Sequence, residues 1–434
     1  MFNKLKYKFK SKNISVCIIG LGYVGLPLAS RVLNAGITVY GLDTDLKKIK
    51  LLRSGKSYIR VFENSIINYF KKNPKNISNK YSIIKNCDVV ILCLPTPLTK
   101  VSKKPDMSYV FNCAKEIKNY IKKNQLIIIE STVYPGATNE FQKKLLSKKF
   151  SIGEDIFIGY SPERENPGDK KFSYKRTPKI ISGSTKKCLD LTNSFYQHFV
   201  KKLVKLKSIK EAETSKLLEN LYRSVNISLI NELKIVCHRL GMDIFNIIDA
   251  AATKNFGFQK FLPGPGLGGH CIPIDPYYLA WASKNLGYNP KFIKLSGDIN
   301  AIIPKWTINK ILENFKNKNN IRLLLLGVSY KKNVDDDRES TFFEFMKILN
   351  KKKIKFDYSD PYFPILRKGR NSNILKKSIK LDKNNLMKYD ASIILADHDL
   401  YDYELISKHS KIVFDTRGKF KDTKLKKFKN IIFC

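Results

Sequence analysis

What the chain lacks narrows its identity first. No apolar run approaches the roughly 18 residues that a membrane-crossing helix requires, so no spanning segment is expected in these 434 residues. The eight cysteines, at 17, 87, 93, 113, 188, 237, 271 and 434, form no Cys-x-x-Cys pair, and with only five His no cluster has zinc-ligand spacing. Several of these thiols sit inside apolar runs (Ser15-Val16-Cys17-Ile18-Ile19; Val90-Ile91-Leu92-Cys93-Leu94) as small hydrophobes. That usage fits a reducing cytosol. Arginine is scarce as well: of 80 basic residues 12 are Arg and 68 are Lys, against 38 acidic residues, for a net charge of +42. A charge of that size invites a polyanion partner. Yet Arg is the residue that reads guanine and clamps phosphate by two parallel bonds, and the lysines are scattered rather than striped. Abundant Asn and Ile alongside them point to a proteome biased toward A/T-rich codons. Neither a nucleic-acid nor a membrane partner is expected; anionic small molecules are. Hydrophobic content of 43% excludes disorder, and 22 Gly with 17 Pro exclude collagen-like material.

A basic stretch (Lys4 to Lys12) before an apolar one (Val16 to Ala29) imitates a signal peptide. The same residues read better as a strand and turn. Ile14 to Ile19 is a strand, Tyr23 to Ala35 a helix that Gly36 stops, and Ile37 to Leu42 a second strand closed by Asp43. Strand–helix alternation continues through Asp88 to Leu94, Val110 to Lys122, Leu126 to Ile129, Phe157 to Tyr160 and Lys179 to Ser182. Such alternation implies a parallel sheet covered on both faces. Near residue 207 the pattern changes. From Glu211 to Leu240 apolar residues recur at helical spacing, giving a helix on the order of 45 Å long that links two domains and carries a subunit interface. A Gly/Pro-rich loop (Phe261 to Pro276) and further helix to Lys316 follow. Alternation resumes at Leu323 to Gly327, Lys353 to Asp360, Ala391 to Leu395 and Lys411 to Asp415. The expected fold is α/β, with two doubly wound Rossmann-like domains joined by a long central helix and a helical dimerisation domain. The boundaries are 1–206, 207–318 and 319–434.

Three motifs carry chemistry. In Gly20-x-Gly22-x-x-Gly25, Gly20 permits a tight turn, Gly22 admits a pyrophosphate close to the backbone, and Gly25 lets helix pack on strand. It follows a strand and opens a helix, whose positive end suits the pyrophosphate. Asp43, 18 residues on, is placed to accept both ribose hydroxyls and to repel a 2′-phosphate, which favours NAD over NADP. The second motif is Pro263-Gly264-Pro265-Gly266-Leu267-Gly268-Gly269-His270-Cys271-Ile272-Pro273-Ile274-Asp275. Seven Gly or Pro around one Cys make a backbone shaped to approach a ligand while presenting a thiol. A helix start nearby favours the Cys271 thiolate, and Asp275 shares its helical face if a helix begins there. His270 stays unassigned. The third pairs Lys216 with Asn220, i and i+4 on the long helix, where together they could hold an oxyanion. Alone, a Lys in this chain reads as a solvated helix face.

These segments, with Pro95-Thr96-Pro97-Leu98, Glu130-Ser131-Thr132-Val133-Tyr134-Pro135-Gly136, Ser161-Pro162-Glu163-Arg164 and Gly327-Val328-Ser329-Tyr330-Lys331, stand in an order that resembles the nucleotide-sugar 6-dehydrogenases, the UDP-glucose/GDP-mannose dehydrogenase family. The resemblance spans residues 14 to 420. It implies four-electron oxidation of a sugar C6 alcohol to a carboxylate with two NAD per turnover. Cys271 would add to the aldehyde as a thiohemiacetal, and a thioester would form and be hydrolysed. Lys216 and Asn220 would stabilise the oxyanions, Asp275 would order Lys216 and water, and Thr132 and Glu163 would position water and relay protons. It further implies cofactor contacts from Gly20, Gly22, Tyr23, Val24, Gly25, Asp43, Pro95, Thr96 and Thr132. Substrate contacts are implied for Glu163, Arg164, Lys216, Asn220, Gly268, Lys331 and Arg338, the last as a planar fork for phosphate.

UDP-glucose enzymes usually continue Ser-Pro-Glu with Phe-Leu, where this chain has Arg164-Glu165-Asn166-Pro167-Gly168, and carry Arg-Ile-Gly where it has Asn255-Phe256-Gly257-Phe258. Both departures resemble the branch that oxidises UDP-N-acetylglucosamine for surface polysaccharide. Asn255 and Thr341 each replace a usual Pro. The expectation is a cytoplasmic homodimer or higher homo-oligomer acting on that sugar, with UDP-glucose or UDP-N-acetylmannosamine as alternatives. A two-electron hydroxyacid or 6-phosphogluconate-type dehydrogenase has no need of Cys271 or a third domain. A polyanion-binding protein leaves the Gly-rich motifs unexplained.

Overall fold

Short runs of Val, Ile and Leu bounded by turns become parallel strands when helices cover both of their faces. The computed structural model describes residues 2–59, 65–99, 102, 104–146, 150–164, 177–269, 272–316, 318, 320–366, 375–421 and 428–434. The chain divides into two compact units, residues 1–219 with 277–288 and residues 220–276 with 289–434.

The first unit runs α1 (Phe2–Lys10), β1 (Ser15–Ile19), α2 (Gly25–Asn34), β2 (Thr38–Leu42), α3 (Leu46–Arg53), α4 (Ser65–Lys72) and β3 (Ile77–Ser78). Then come β4 (Val89–Leu92), α5 (Ser108–Ile117), β5 (Gln125–Ile129), α6 (Ala137–Leu145), β6 (Ile156–Tyr160), β7 (Lys179–Gly183), α7 (Lys186–Tyr196) and β8 (Leu203–Lys205). The sheet order is β3-β2-β1-β4-β5-β6-β7-β8. Its first six strands are all parallel and have the order of dinucleotide-binding domains; β7 turns antiparallel to β6. Ile19 lies opposite both Leu42 and Leu92, so β1, β2 and β4 end level and their following loops share one edge. Val16, Ile18, Val39, Ile91, Leu126 and Ile128 form the core beneath that edge. The sequence assigned no element to the first 13 residues. They form α1, anchored by fully buried Phe9 and by ion pairs from Lys6 to Asp190 (3.2 Å) and Lys8 to Asp88 (2.6 Å).

Helix α8 (Ile209–Arg239) carries the chain from the first unit into the second, where α9 (Ile244–Ala251) follows; α10 (Asp275–Lys284) and α11 (Lys291–Leu312) come next. Then β9 (Arg322–Leu326), α12 (Thr341–Lys351), β10 (Lys355–Ser359), β11 (Ile365–Leu366), β12 (Lys376–Lys377), α13 (Lys383–Leu386), β13 (Ala391–Ile394), α14 (Tyr403–His409), β14 (Val413–Asp415) and β15 (Ile431–Phe433) complete the chain. The second sheet has the order β10-β9-β13-β14-β15, the other common doubly wound arrangement, and all its pairs are parallel. Among the described residues no helix is long and apolar enough to cross a membrane.

The second unit closes its first crossover with one carboxylate. Asp360, just past β10, accepts N–H bonds from Val328 (2.6 Å), Ser329 (3.2 Å), Tyr362 (2.7 Å) and Phe363 (3.1 Å), and lies 3.2 Å from His398 Nε2. Burial alone would raise its pKa; the bond from His398 and the N–H donors hold the carboxyl below its ordinary value. A carboxylate depressed in the fold stabilises it above the unfolded pKa of about 4, and that support disappears as pH falls further. Asp360→Ala is therefore expected to destabilise the second unit by about 3 kcal/mol at neutral pH. The deficit should shrink below about pH 4, which thermal denaturation of both proteins at pH 7 and pH 3 measures.

Candidate active site

The loops after β1, β2, β4, β5 and β6 carry, in order, Gly20 to Gly25, Asp43, Pro95 with Thr96, Thr132, and Glu163. Parallel strands end together, so one sheet edge collects every residue that the sequence assigned to the dinucleotide. The turn is tight. Gly20 has φ +90°, and a Cβ there would lie 2.5 Å from the Cys93 carbonyl; one at Gly25 would lie 1.9 Å from the Gly20 carbonyl. At Gly22 no atom of the described residues, its chain neighbours aside, lies within 4 Å of such a Cβ, which leaves the face that a pyrophosphate approaches open. No side chain caps the start of α2, so its first N–H groups favour an anion. Tyr23 is exposed, Val24 half-buried, Pro95 exposed and Thr96 buried. The Thr96 carbonyl accepts a bond from Tyr278 (2.6 Å). Ser131 Oγ accepts from the Leu94 N–H (2.8 Å) and donates to the Leu94 carbonyl (2.9 Å), tying the loops after β4 and β5 together beside half-buried Thr132.

Asp43 does more than the sequence indicated. Its Oδ2 accepts from the Leu21 N–H (2.9 Å) and Lys48 Nζ (3.0 Å), and its Oδ1 from the Asp45 N–H (2.9 Å). Tyr58 donates to the Leu21 carbonyl. The carboxylate expected at the ribose thus also fixes the Gly-rich turn. Lys48 and Tyr58 escaped the sequence reading, although Asp45 capping α3 places Lys48 in that helix's first turn. Glu130 stood in the sequence only as part of a motif, with no role of its own. It is fully buried, accepts from the Tyr196 hydroxyl and lies 3.2 Å from Lys179 Nζ. Burial pushes its pKa up against the pull of Lys179. Lys179 also lines a small cavity with Glu163 and Arg164. Arg164, expected at the substrate, bonds the Pro178 carbonyl (2.6 Å) and pairs with Glu219 (2.6 Å).

On α8, Lys216 is 8% exposed and Asn220 is 1% exposed. Neither belongs to a solvated face. Glu213, one turn before Asn220's neighbour Lys216, caps α6 by accepting from Gly136 (2.5 Å) and Thr138 (2.9 Å). In the second unit Asn220 donates to Asp275, and both are buried. Helix α10 begins at Asp275, after a turn over residues 272–274, so the helix start on which the shared face of Asp275 and Cys271 was conditional is not found before Asp275. Cys271 and His270 themselves, like Glu165 to Gly168, lie outside the described residues.

The loop leading to Cys271 is pinned at successive points. The Gly264 N–H bonds Asn231 Oδ1 (3.0 Å) and its carbonyl accepts from Lys234 Nζ (2.9 Å). A Cβ at Gly268 would meet the Glu339 carbonyl at 3.0 Å, and one at Gly269 (φ +96°) the Tyr330 ring at 2.9 Å. Only a chain without side chains there can lie this close to the segment carrying Lys331 and Arg338. Lys331 is half-buried. The Arg338 fork lies on Asp336, with Nε at 2.9 Å and a terminal nitrogen at 2.7 Å. Thr341, where the resembling family has Pro, is the first residue of α12 behind the Ser340 cap, a position that suits Pro but does not require it.

Comparison with known proteins agrees with this arrangement along the chain. The UDP-glucose/GDP-mannose dehydrogenase family's NAD binding domain matches residues 14–200, its central domain 210–302 and its UDP binding domain 324–422. A UDP-N-acetyl-D-glucosamine 6-dehydrogenase from Pseudomonas aeruginosa is 36% identical over 362 residues, 81% of this chain and 83% of that protein. A UDP-N-acetyl-D-mannosamine dehydrogenase from Methanococcus vannielii is 31% identical over 424 residues, 94% of each. The solved UDP-D-ManNAc dehydrogenase from Pyrococcus horikoshii superposes with a TM-score of 0.83 at 28% identity, covering 97% of this chain and 98% of that one. With the NAD-binding, central and UDP-binding domains all matched, the chain belongs to the UDP-glucose/GDP-mannose dehydrogenase family, and its cofactor is NAD.

Proposed function

We propose that the protein oxidises the C6 hydroxyl of UDP-N-acetylglucosamine to the carboxylate, for surface polysaccharide synthesis. The observation that carries the reading is the buried Asn220–Asp275 pair on the elements flanking the Gly-rich Cys271 loop. A polar pair sheltered from water, one helical turn beyond buried Lys216, suits a developing oxyanion better than it suits packing. When bound, NAD supplies the hydride acceptor for each oxidation. The Gly20–Gly25 turn and Asp43 would hold it, with Pro95, Thr96 and Thr132 as further contacts. Lys216 and Asn220 stabilise the alkoxide, and Glu163 with Thr132 accepts the proton through water. Cys271 adds to the aldehyde carbon, the second hydride leaves the thiohemiacetal, and water displaces the thiol from the thioester. Lys331 and Arg338 bind the nucleotide end, and Gly268 and Arg164 contact the substrate; Arg338 must exchange Asp336 for phosphate. In this reading residues 1–206 bind the dinucleotide, 207–318 dimerise and carry the Cys loop, and 319–434 bind UDP.

The choice of sugar is supported by the residues after Glu163, by Asn255-Phe256-Gly257-Phe258 and by the Pseudomonas relative's activity. The Methanococcus relative and the Pyrococcus structure favour UDP-N-acetylmannosamine as a second reading. A side-by-side measurement of kcat/KM decides: UDP-N-acetylglucosamine should exceed UDP-glucose by about 100-fold, because a pocket built for the N-acetyl amide leaves its polar groups unpaired without it. Preference for the manno sugar would move the specificity and keep the chemistry; preference for UDP-glucose would reject the branch. A second copy of the chain completes the molecule. Leu218, Tyr222, Leu229, Leu233, Val236 and Leu240 form an exposed stripe along α8, which a homodimer buries. The seven described thiols are all free, in keeping with the cytosol.

A further inference from the structure

Away from the residues assigned above, the second unit carries an open cavity of about 330 Å³, within the range of small-ligand sites. Its walls come from the last turns of α8, the start of α9, the later turns of α11, and β15 with Cys434. Two lysines, Lys234 and Lys310, line it with His238, whose imidazole is held below its ordinary pKa by burial and by Lys310, beside the rings of Trp306, Phe245 and Phe433. The carboxylate in the wall is engaged: Asp243 pairs with Lys421 and caps α9 through the Phe245 N–H (2.9 Å). The Cys434 thiol brings no charge, since burial pushes its pKa up to about 12. Lys310 has a partial partner in Glu313 at 2.7 Å.

Lys234 is the unusual member. It is 3% exposed, on the α8 face that also buries Ile230 and Cys237. No carboxylate lies in ion-pair range of it among the described residues; its contacts are the Gly264 carbonyl at 2.9 Å and the Trp306 ring at 5.1 Å. Burial without a counter-ion pushes its pKa down to about 8, which still leaves it charged near neutrality. A buried cation facing an open cavity, with a second lysine, an imidazole N–H donor and three rings beside it, is the chemistry of an anion that carries a planar group.

We propose that this cavity is a second binding site, for a nucleoside phosphate, its phosphate met by Lys234, His238 and Lys310 and its base lying against Trp306 and Phe433. Occupancy draws on the ammonium that holds Gly264, and so changes the set of the loop leading to Cys271. That consequence rests on the proposed role of Cys271; binding does not.

The chain's two tryptophans make the test direct. Trp281 packs on Tyr134 with ring centroids 4.6 Å apart and does not line the cavity, so in full-length Trp281→Phe protein the emission reports Trp306. UMP should quench it saturably, and pyrophosphate should compete at least tenfold more weakly. Lys310→Glu should weaken UMP binding tenfold or more, with Lys310→Ala between, while turnover without UMP stays at the parent level. A shift in kcat on adding UMP, absent in Lys310→Glu, completes the coupling. No saturable quench would overturn the site, and so would a quench unchanged in Lys310→Glu. Pyrophosphate binding as tightly as UMP would overturn the nucleoside assignment, and an unaltered kcat at full quench the coupling. A failure of the Cys271 reading would show separately, because Cys271→Ser should leave the quench unchanged.

Discussion

Cys271→Ser is expected to lower the rate of acid release by on the order of 10⁴-fold or more while leaving NAD and UDP-sugar affinity within a few-fold of the parent. The reason lies in the leaving group. A thiolate adds readily to an aldehyde near neutral pH, and a thioester yields it to water; a serine alkoxide is harder to form and its ester is slower to hydrolyse. The exchange leaves the neighbouring described segments as they are. Asn220 keeps Asp275, and Gly268 and Gly269 still lie against Glu339 and Tyr330. Steady-state NADH production together with equilibrium binding of both ligands measures the split. Normal turnover would end the covalent proposal, and lost binding would show that the loop had been disturbed instead.

The second large effect belongs to the other end of the chain. Gly25→Ala would place a Cβ 1.9 Å from the Gly20 carbonyl oxygen and 3.0 Å from its carbon. Both are backbone atoms, so no rotamer relieves the clash. The turn must open or α2 must lift from β1, where Ile18 is already 3.1 Å from that position. NAD affinity should fall by on the order of a hundredfold or more, and the thermal midpoint should drop with it. Gly22→Ala is the control: among the described residues no atom beyond its chain neighbours lies within 4 Å of its Cβ. It should melt like the parent and lose affinity alone, since only an approaching pyrophosphate meets the new methyl group. NAD titration and melting of the two variants separate cradle from fold. Equal melting points would contradict the role given to Gly25.

The contrast between these glycines also shows what a sequence can carry. Gly20-x-Gly22-x-x-Gly25 after an apolar strand is local, and the strand, turn and helix it implies are all present. The long helix was legible for the same reason; its apolar spacing from Glu211 to Leu240 became Ile209–Arg239. Strand order in the second sheet was not legible, because parallel pairing joins residues far apart in sequence and alternation alone does not order them. Nor was α1, whose lysine-rich sequence holds one fully buried aromatic, Phe9. Among 68 lysines, spacing does not single out Lys48 beside Asp43, Lys179 beside Glu130 or Lys234 beneath Gly264. Their meaning comes from burial and partners. Arg338 illustrates the converse, since a guanidinium fork suits phosphate but suits the nearby Asp336 equally well. The Asp360 network repeats in the second unit what Asp43 does in the first, a carboxylate after the second strand holding N–H groups after the first. The sequence disclosed only a coarse likeness between the two ends.

The most direct test of four-electron chemistry is the yield of NADH when a limiting, known quantity of UDP-N-acetylglucosamine is consumed to completion with excess NAD. The account predicts two NADH per sugar, with UDP-N-acetylglucosaminuronate as the product. One NADH per sugar, with aldehyde released, would contradict it and remove the need for Cys271 altogether.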